Sequence, residues 1–260
     1  MYKSMIAFML FVIFVFVNLN AGGDNAEELI IKMDRSLRGS KSNLGSITMI
    51  IEKKRWKSPR TIKMKFWELN RTEKEKGKSY ILITYPIEEN GKAFLKIGNE
   101  MWSYFPEVNE TTKIPPSMMF QSWMGSDFTN DDLVRESSVV LDYNHKVLKT
   151  EDKNGLKIVT IELIPKPQAP ITWAKIVAEV RDLDGIPIRQ DYYNSKNELV
   201  RTMLYDDIKK MSGLVLPCKW TLIPQDKPGD KTTLILEDMR FDVNIAPQIF
   251  TMSNLRKGGQ

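Results

Sequence analysis

The stretch SITMIIEKKRWKSPRTIKMKF, residues 46–66, decides the fold. In both of its halves apolar and polar side chains alternate, with the apolar positions at Ile47, Met49, Ile51, Ile62, Met64 and Phe66. Because side chains of a strand point alternately to opposite faces, this period predicts two strands with one buried face each. The basic segment KKRWKSPR between them predicts the connecting turn, so the two strands are expected to be antiparallel neighbours.

The same alternation continues along most of the chain. It predicts further strands over residues 80–85, 92–97, 101–105, 157–164, 174–181, 186–193, 198–206, 214–223 and 231–242. Tight turns are predicted at Gly98-Asn99, Asn154-Gly155 and Asp184-Gly185. Nothing alternates strand with helix as a parallel sheet requires, so the strands form an antiparallel meander. About a dozen strands cannot remain one flat sheet, and we expect a mainly β barrel or half-barrel.

A helix is predicted at the start of the mature chain, in DNAEELIIKMDRSLRG, residues 24–39. Its apolar residues recur at helical spacing at Ala26, Leu29, Ile30, Met33 and Leu37. Asp24 and Glu27 have the spacing of a capping box, and Gly39 is placed to end the helix. The apolar stripe must be buried, and the sheet is the expected partner.

The first residues are typical of an export signal. Lys3 precedes an uncharged apolar run from Met5 to Val17, and the small residues of NLNAGG follow. We therefore expect a signal peptide over residues 1–21, cut near Ala21, and a single mature domain over residues 22–260. The run is shorter than the ~20 residues of a membrane span, although an uncleaved anchor is the alternative. Cys218 is the only cysteine, so neither a lipid anchor at the cut nor an intramolecular disulfide is expected.

Composition argues against catalysis and nucleic-acid binding. The chain has 260 residues with a formal net charge of +5, interspersed acids and bases, and one histidine, His145. No zinc spacing, calcium loop or phosphate-binding glycine loop is present, so we expect no enzyme, no metal and no cofactor. The basic turn over residues 53–60, with Trp56 among its cations, is interpreted as a solvated hairpin tip. Contact with anionic lipid headgroups or an acidic partner is the alternative.

One stretch departs from the meander, PPSMMFQSWMGSDFTNDDLVR, residues 115–135. The proline pair and Ser117 predict the start of a helix that Gly125 ends, and Thr129 with Asp132 predicts a capping box for a second short helix. The first helix would carry its large apolar residues on nearly one side. Such an insertion either covers an apolar concavity as a lid or is a fixed part of the core.

Met and aromatic side chains suit a site for variable apolar ligands, because the thioether stem adapts its shape at little cost. We expect the inner face of the barrel and the lid to form a lipid-binding cavity. Its predicted residues are Met49, Ile51, Met64, Phe66, Trp102, Tyr104, Met118, Met119, Phe120, Trp123 and Met124.

The signal peptide, the amphipathic first helix and three further stretches together resemble the LolA-like family of outer-membrane lipoprotein-sorting proteins. The three stretches are TIKMKFWELN (61–70), TYPIEENGKAFLKIGNEMWSYFPEVNETTKIPPSMMFQSWMGSDFTNDDLVRES (84–137) and DMRFDVNIAPQIFTMSNL (238–255). The resemblance implies an open, incomplete antiparallel β-barrel closed by helices. It also implies a soluble periplasmic carrier of lipid or lipoprotein acyl chains, with an inner-membrane transporter and an outer-membrane acceptor as partners. A non-transporting sensor or adaptor on the same fold is the alternative.

Overall fold

The computed structural model describes residues 23–134, 138–167, 169 and 173–258. The predicted signal peptide, residues 1–21, lies outside this part of the chain. The α-helices are α1 (Gly23–Arg38), α2 (Asn130–Val134) and α3 (Met252–Leu255). The strands are β1 (Ser42–Glu52), β2 (Arg60–Leu69), β3 (Lys78–Tyr85), β4 (Ala93–Ile97), β5 (Glu100–Phe105), β6 (Glu110–Lys113), β7 (Tyr143–Lys153), β8 (Leu156–Pro165), β9 (Lys175–Arg181), β10 (Pro187–Tyr193), β11 (Leu199–Met211), β12 (Leu214–Pro224), β13 (Lys231–Leu236) and β14 (Arg240–Phe241).

All the strands belong to one antiparallel sheet. Its order is β6-β5-β4-β3-β2-β1-β13-β12-β11-β10-β9-β8-β7, with β14 added beside β1. The outer strands β6 and β7 are not paired with each other, so the curled sheet stays open along one seam. The prediction of an open, incomplete antiparallel β-barrel is confirmed.

Helix α1 packs on the inner face of the sheet, as its amphipathic pattern predicts. Ala26, Leu29, Ile30 and Met33 are buried against residues of β7, β8 and β9. The helix ends where expected, because Gly39 has the left-handed φ of +70° and its N–H donates to the Arg35 carbonyl. The predicted N-cap Asp24 instead lies inside the helix, which includes Gly23.

The strand predictions hold with two differences. The predicted strand 231–242 is divided into β13 and β14, because the chain bends at Asp238 and Met239 and crosses close to Gly45. A Cβ on Gly45 would lie 2.2 Å from the Asp238 carbonyl oxygen, so only glycine permits this crossing. No bounds were predicted for strands β6 and β7, since both lie at a sheet edge where charged and polar residues replace the alternation.

The C-terminal segment, residues 243–255, covers the outer face of the other half of the sheet. Ile245, Phe250 and Leu255 are buried against Tyr80 and Tyr104, which point outward from β3 and β5. Burial there raises the pKa of Tyr80 to about 12. The sheet therefore has an apolar layer on each side: α1 and residues 114–133 inside, and the C-terminal segment outside.

Candidate functional site

The connection from β6 to β7, residues 114–142, joins the two edge strands and is called the lid segment here. Because β6 and β7 are the opposite margins of the sheet, this connection has to cross the open seam. Residues 135–137 of it lie outside the described part. Topology alone thus explains why a strand meander carries this insertion: it closes the half-barrel.

The predicted continuous helix over residues 117–125 is wrong. Two single 3-10 turns, Pro116–Met118 and Trp123–Gly125, stand in its place. The chain leaves the helical path because Ser122 forms a bridge with Thr129, and because Met124 has a left-handed φ of 53°. Hydrogen bonds from Trp123 N–H to the Phe128 carbonyl, 2.8 Å, then hold the segment as a compact loop.

The predicted capping box of α2 is present. The Asp132 carboxylate accepts from the Thr129 N–H at 2.8 Å, and the Thr129 hydroxyl accepts from the Asp132 N–H at 3.2 Å. The same carboxylate binds Arg201 of β11 through two hydrogen bonds of 2.8 and 2.7 Å. Asp132 therefore fastens the lid segment to the half of the sheet formed by β7–β13, through a nearly buried, bidentate ion pair.

Arg201 is itself held between two aromatic rings. The centres of Trp173 and Tyr192 lie 4.4 and 4.6 Å from its guanidinium carbon, within the range of cation–π attraction. Burial favours the neutral form of Asp132, but the hydrogen bonds and charge of Arg201 outweigh it and hold the pKa of Asp132 below its usual value. The pair is therefore ionised at neutral pH.

A buried polar network continues from these rings along the inner face. Gln190 accepts with its side-chain oxygen from the hydroxyls of Tyr192, 2.8 Å, and Tyr205, 2.7 Å. Its amide nitrogen lies 3.3 Å from the sulfur of Met33 in α1. Burial raises the pKa of both tyrosines, so their hydroxyls stay protonated as donors. The network fixes α1, β10 and β11 to one another.

A cavity of about 430 Å³ lies between α1, the inner face of the sheet and the lid segment. Most of its wall is apolar, and several polar side chains also line it. The lining includes Met33, Leu37, Ile47, Met64, Phe66, Ile81, Trp123, Phe128, Leu133, Tyr192, Tyr205, Trp220, Leu234, Leu236 and Met239, and its charged and amide or hydroxyl members are Asp34, Arg38, Asn43, Glu68, Ser79, Lys96, Asp132 and Gln190. Its size is within the ~300–1,000 Å³ of small-ligand pockets.

Some of the predicted site residues lie at this cavity or directly under it. Met64, Phe66 and Trp123 line it. Met49 and Ile51 are fully buried in the cluster below, where Trp123 packs edge-on against Phe94 with 5.3 Å between ring centres. Met119 and Met124 are partly buried against the same cluster.

The other predicted residues point elsewhere. Phe120 and Met118 are exposed, 65% and 40%, because the loop that replaces the expected helix turns them away from the sheet. Trp102 and Tyr104 are on the outer face beneath the C-terminal segment, since on β5 it is Met101 that points inward. The expectation that these four share the inner cavity is wrong.

Two contacts tie the lid segment to the β1–β2 hairpin. The Lys53 ammonium pairs with the buried carboxylate of Asp127 and, at 3.5 Å, with Asp230. Arg60 donates to the Met124 carbonyl at 3.0 Å and pairs with Glu89. The lid segment is thus held by charged contacts at the hairpin as well as at Arg201.

The structure assigns no chemistry to His145, whose Nε2 lies 2.6 Å from the Val139 carbonyl oxygen. Within residues 23–134, 138–167, 169 and 173–258, no three acids, histidines or cysteines are grouped to hold a metal ion. In that same part of the chain no helix combines the length and apolar character needed to cross a membrane.

An open antiparallel half-barrel with an inner helix, a segment across its seam and a cavity beneath that segment defines a LolA-like fold. Solved structures that share it include a DUF1329 family protein from Desulfovibrio piger (TM-score 0.78, 23% identity, covering 90% of this chain and 98% of that one), a putative outer membrane lipoprotein-sorting protein domain from Vibrio parahaemolyticus (0.74, 21%, 90% and 99%) and a LolA superfamily protein from Nitrosomonas europaea (0.71, 20%, 88% and 99%). The predicted resemblance is therefore confirmed in the fold.

The chain belongs to the protein family whose model, described as "Uncharacterized protein", matches residues 75–257. No curated protein matches its sequence. The matched region contains the lid segment, Arg201 and most of the sheet.

Sequence reasoning missed the polar half of the site. Arg201, Gln190, Tyr192 and Tyr205 lie on β10 and β11, where alternation marks them only as inward positions of a strand. A charged residue on an inward face is the one signal that could have pointed to Arg201, because an unpaired charge is not buried there.

Proposed function

We propose that the protein is an exported, periplasmic carrier that takes up lipid or lipoprotein acyl chains in the inner cavity, and that it is not an enzyme. The observation that carries the proposal is the 430 Å³ cavity with a largely apolar wall, which lies under a segment that spans the seam. The name of the Vibrio relative, an outer membrane lipoprotein-sorting domain, supports the same class of cargo. In this proposal residues 22–260 act as one domain after removal of residues 1–21.

The size of the cavity supports one acyl chain as its content. An engineered apolar cavity of ~150 Å³ holds benzene, so 430 Å³ is room for on the order of eighteen carbon atoms. Burial of each methylene is worth about 0.8 kcal/mol, which makes a single long chain sufficient for useful affinity. In the proposal, Met64, Phe66 and Trp123 contact the chain, and Met49 and Ile51 support them from below.

The indole of Trp123 supports an acyl group rather than a plain hydrocarbon as cargo. Its Nε1 is buried without a hydrogen-bond partner among the described residues. A buried donor left unpaired costs about 1–3 kcal/mol. The ester or amide carbonyl of a bound acyl group is an acceptor of the right kind for it.

Filling the cavity tests the proposal. Leu133→Trp places an indole into the space beneath the lid segment, whereas Leu156→Trp adds the same group at an exposed site on β8. Every methylene displaced costs about 0.8 kcal/mol, so loss of two lowers the affinity for a long-chain fatty acid roughly tenfold. We expect this loss for Leu133→Trp alone, measured by titration calorimetry on protein stripped of lipid.

Native mass spectrometry of protein isolated from its own periplasm is the companion experiment. The carrier is expected to retain an acyl lipid that then passes to acceptor vesicles. Equal fatty-acid affinity in wild type and Leu133→Trp would contradict the cavity as the binding site. Stable protein complexes without transferable lipid would favour a sensor or adaptor instead.

A further inference from the structure

The turn between β1 and β2, residues 53–59, is called the basic tip here. Lys54, Arg55 and Lys57 on it are exposed, and none of them forms an ion pair within the described part of the chain. Lys227, in the neighbouring β12–β13 connection, is exposed beside them. The exposed carboxylates of these two connections and of the adjoining β3–β4 connection are Glu88 and Asp226, against four exposed cations. A net positive patch results.

The tip is fixed before any partner arrives. The Trp56 N–H donates to the Lys53 carbonyl at 2.8 Å, and the Lys54 N–H donates to the Asp230 carboxylate at 2.9 Å. Lys53 itself forms ion pairs with Asp127 and Asp230 beneath the turn. Because the backbone is already ordered, the exposed cations lose little additional entropy on contact with an anionic partner.

Apolar and aromatic side chains accompany the cations. Trp56 is half-buried and lines a groove of about 900 Å³ together with Lys54, Arg55 and Lys227. On the adjacent β3–β4 connection Ile87 is 78% exposed, and Tyr85 at the end of β3 is 50% exposed. This connection is tied to the tip strand through the pair of Arg60 and Glu89. Lysine and arginine next to a half-buried tryptophan and exposed aliphatic groups are the composition of membrane-interface surfaces.

We propose that the basic tip docks the protein onto an anionic membrane surface. Lys54, Arg55 and Lys57 contact lipid phosphates, and Trp56 and Ile87 rest at the level of the headgroups. A membrane fits better than an acidic protein because the exposed charges and apolar groups come from separate connections that face outward, which suits an extended anionic plane. The inference goes beyond the proposed cargo function, since docking requires no occupied cavity.

Flotation with lipid vesicles tests the docking. Wild-type protein is expected to bind vesicles of phosphatidylglycerol and phosphatidylethanolamine, to release them as salt is raised, and to ignore vesicles with phosphatidylcholine in place of phosphatidylglycerol. Neutralising the tip, K54Q/R55Q/K57Q, should weaken binding on the order of a hundredfold, from the contribution per cation at such a surface. The matched control K74Q/K146Q/K210Q removes three exposed lysines elsewhere and should bind like wild type.

The outcomes are decisive in both directions. Equal losses in the two triple variants would reduce the effect to net charge and overturn the proposal. Wild-type protein that ignores phosphatidylglycerol vesicles, yet is cross-linked through the tip to an envelope protein, would overturn it in favour of an acidic protein partner. Repeating the flotation in the Leu133→Trp background separates docking from cargo uptake, since only the latter needs the cavity. Thermal denaturation of each variant confirms that it is folded.

Discussion

Replacing Asp132 by asparagine removes the charge that fastens the lid segment while it keeps the size of the side chain and an oxygen for the N-terminal cap of α2. In the wild type, both terminal nitrogens of Arg201 donate to Asp132 at 2.8 and 2.7 Å. After the substitution the guanidinium remains between Trp173 and Tyr192, with a neutral amide in place of its counter-ion. A largely buried positive charge is left uncompensated.

The magnitude follows from that burial. Breaking a buried pair from one side costs about 3–5 kcal/mol. The two side chains retain 11% and 14% exposure, and the aromatic rings still hold the guanidinium, so we expect the lower end, about 3 kcal/mol. That free energy is roughly a hundredfold change in an equilibrium. Since Asp132 lies in a short helix of a loop, the loss should appear first as local opening of the lid segment.

Native-state hydrogen exchange measures this opening directly. The amides of Trp123, Asn130 and Asp131 are hydrogen-bonded within the lid segment and should exchange roughly a hundredfold faster in Asp132→Asn. Asp182→Asn is the control, because its pair with Lys157 is largely exposed and should contribute little. Unchanged exchange at the lid amides, with an unfolding free energy equal to that of wild type, would refute the assignment of Asp132 and Arg201 as the fastening.

Three further predictions follow from individual groups. The folded pKa of Asp132 is lowered because Arg201 outweighs the effect of burial. The stabilisation by its carboxylate is therefore complete above pH ~3.8 and is lost as pH falls through the folded pKa. In urea titrations, the free energy of unfolding should fall less in acid for Asp132→Asn than for wild type. Gly45→Ala should destabilise by about 1–3 kcal/mol, since its Cβ meets the Asp238 carbonyl, and an unchanged melting temperature would contradict this crossing. His145→Ala and chelators should leave fatty-acid affinity unchanged, and a loss of binding in folded protein would give His145 a role in the site.

Most of the sheet could be predicted because the alternation that marks a strand is a local pattern, which the polar edge strands β6 and β7 lack. Alternation at Ile47, Met49 and Ile51 needs only the geometry of the strand and one buried face. The same rule does not say which of two apolar faces is the inner one when both are covered. On β5 both Met101 and Trp102 are apolar, and only the position of the C-terminal segment decides that Trp102 points outward.

The lid segment and its fastening could not be predicted for a different reason. Apolar spacing over residues 117–125 fits a helix, but the bridge of Ser122 with Thr129 and the hydrogen bond from Trp123 N–H to the Phe128 carbonyl fold the chain into a loop. Asp132 was recognised as a cap, whereas its partner Arg201 is 69 positions away on a strand. A contact of that separation is set by the curl of the whole sheet and leaves no local trace.

The order of the strands also determines how the chain can assemble. Two pairings join strands that are distant in sequence: β14 with β1, and β1 with β13, where Ile47 faces Leu236 and Ile51 faces Thr232. Every other pairing joins strands that are neighbours in sequence. Two meanders, β1–β6 and β7–β13, can therefore form by successive pairing of local hairpins, at small cost in loop-closure entropy. The long-range junction of β1 with β13 requires both halves to meet and is the slowest pairing expected on topological grounds. Folding of this half-barrel is thus the joining of two preformed sheets at the β1–β13 pairing. The lid segment links the two sheets covalently and so keeps them close to each other until that pairing forms.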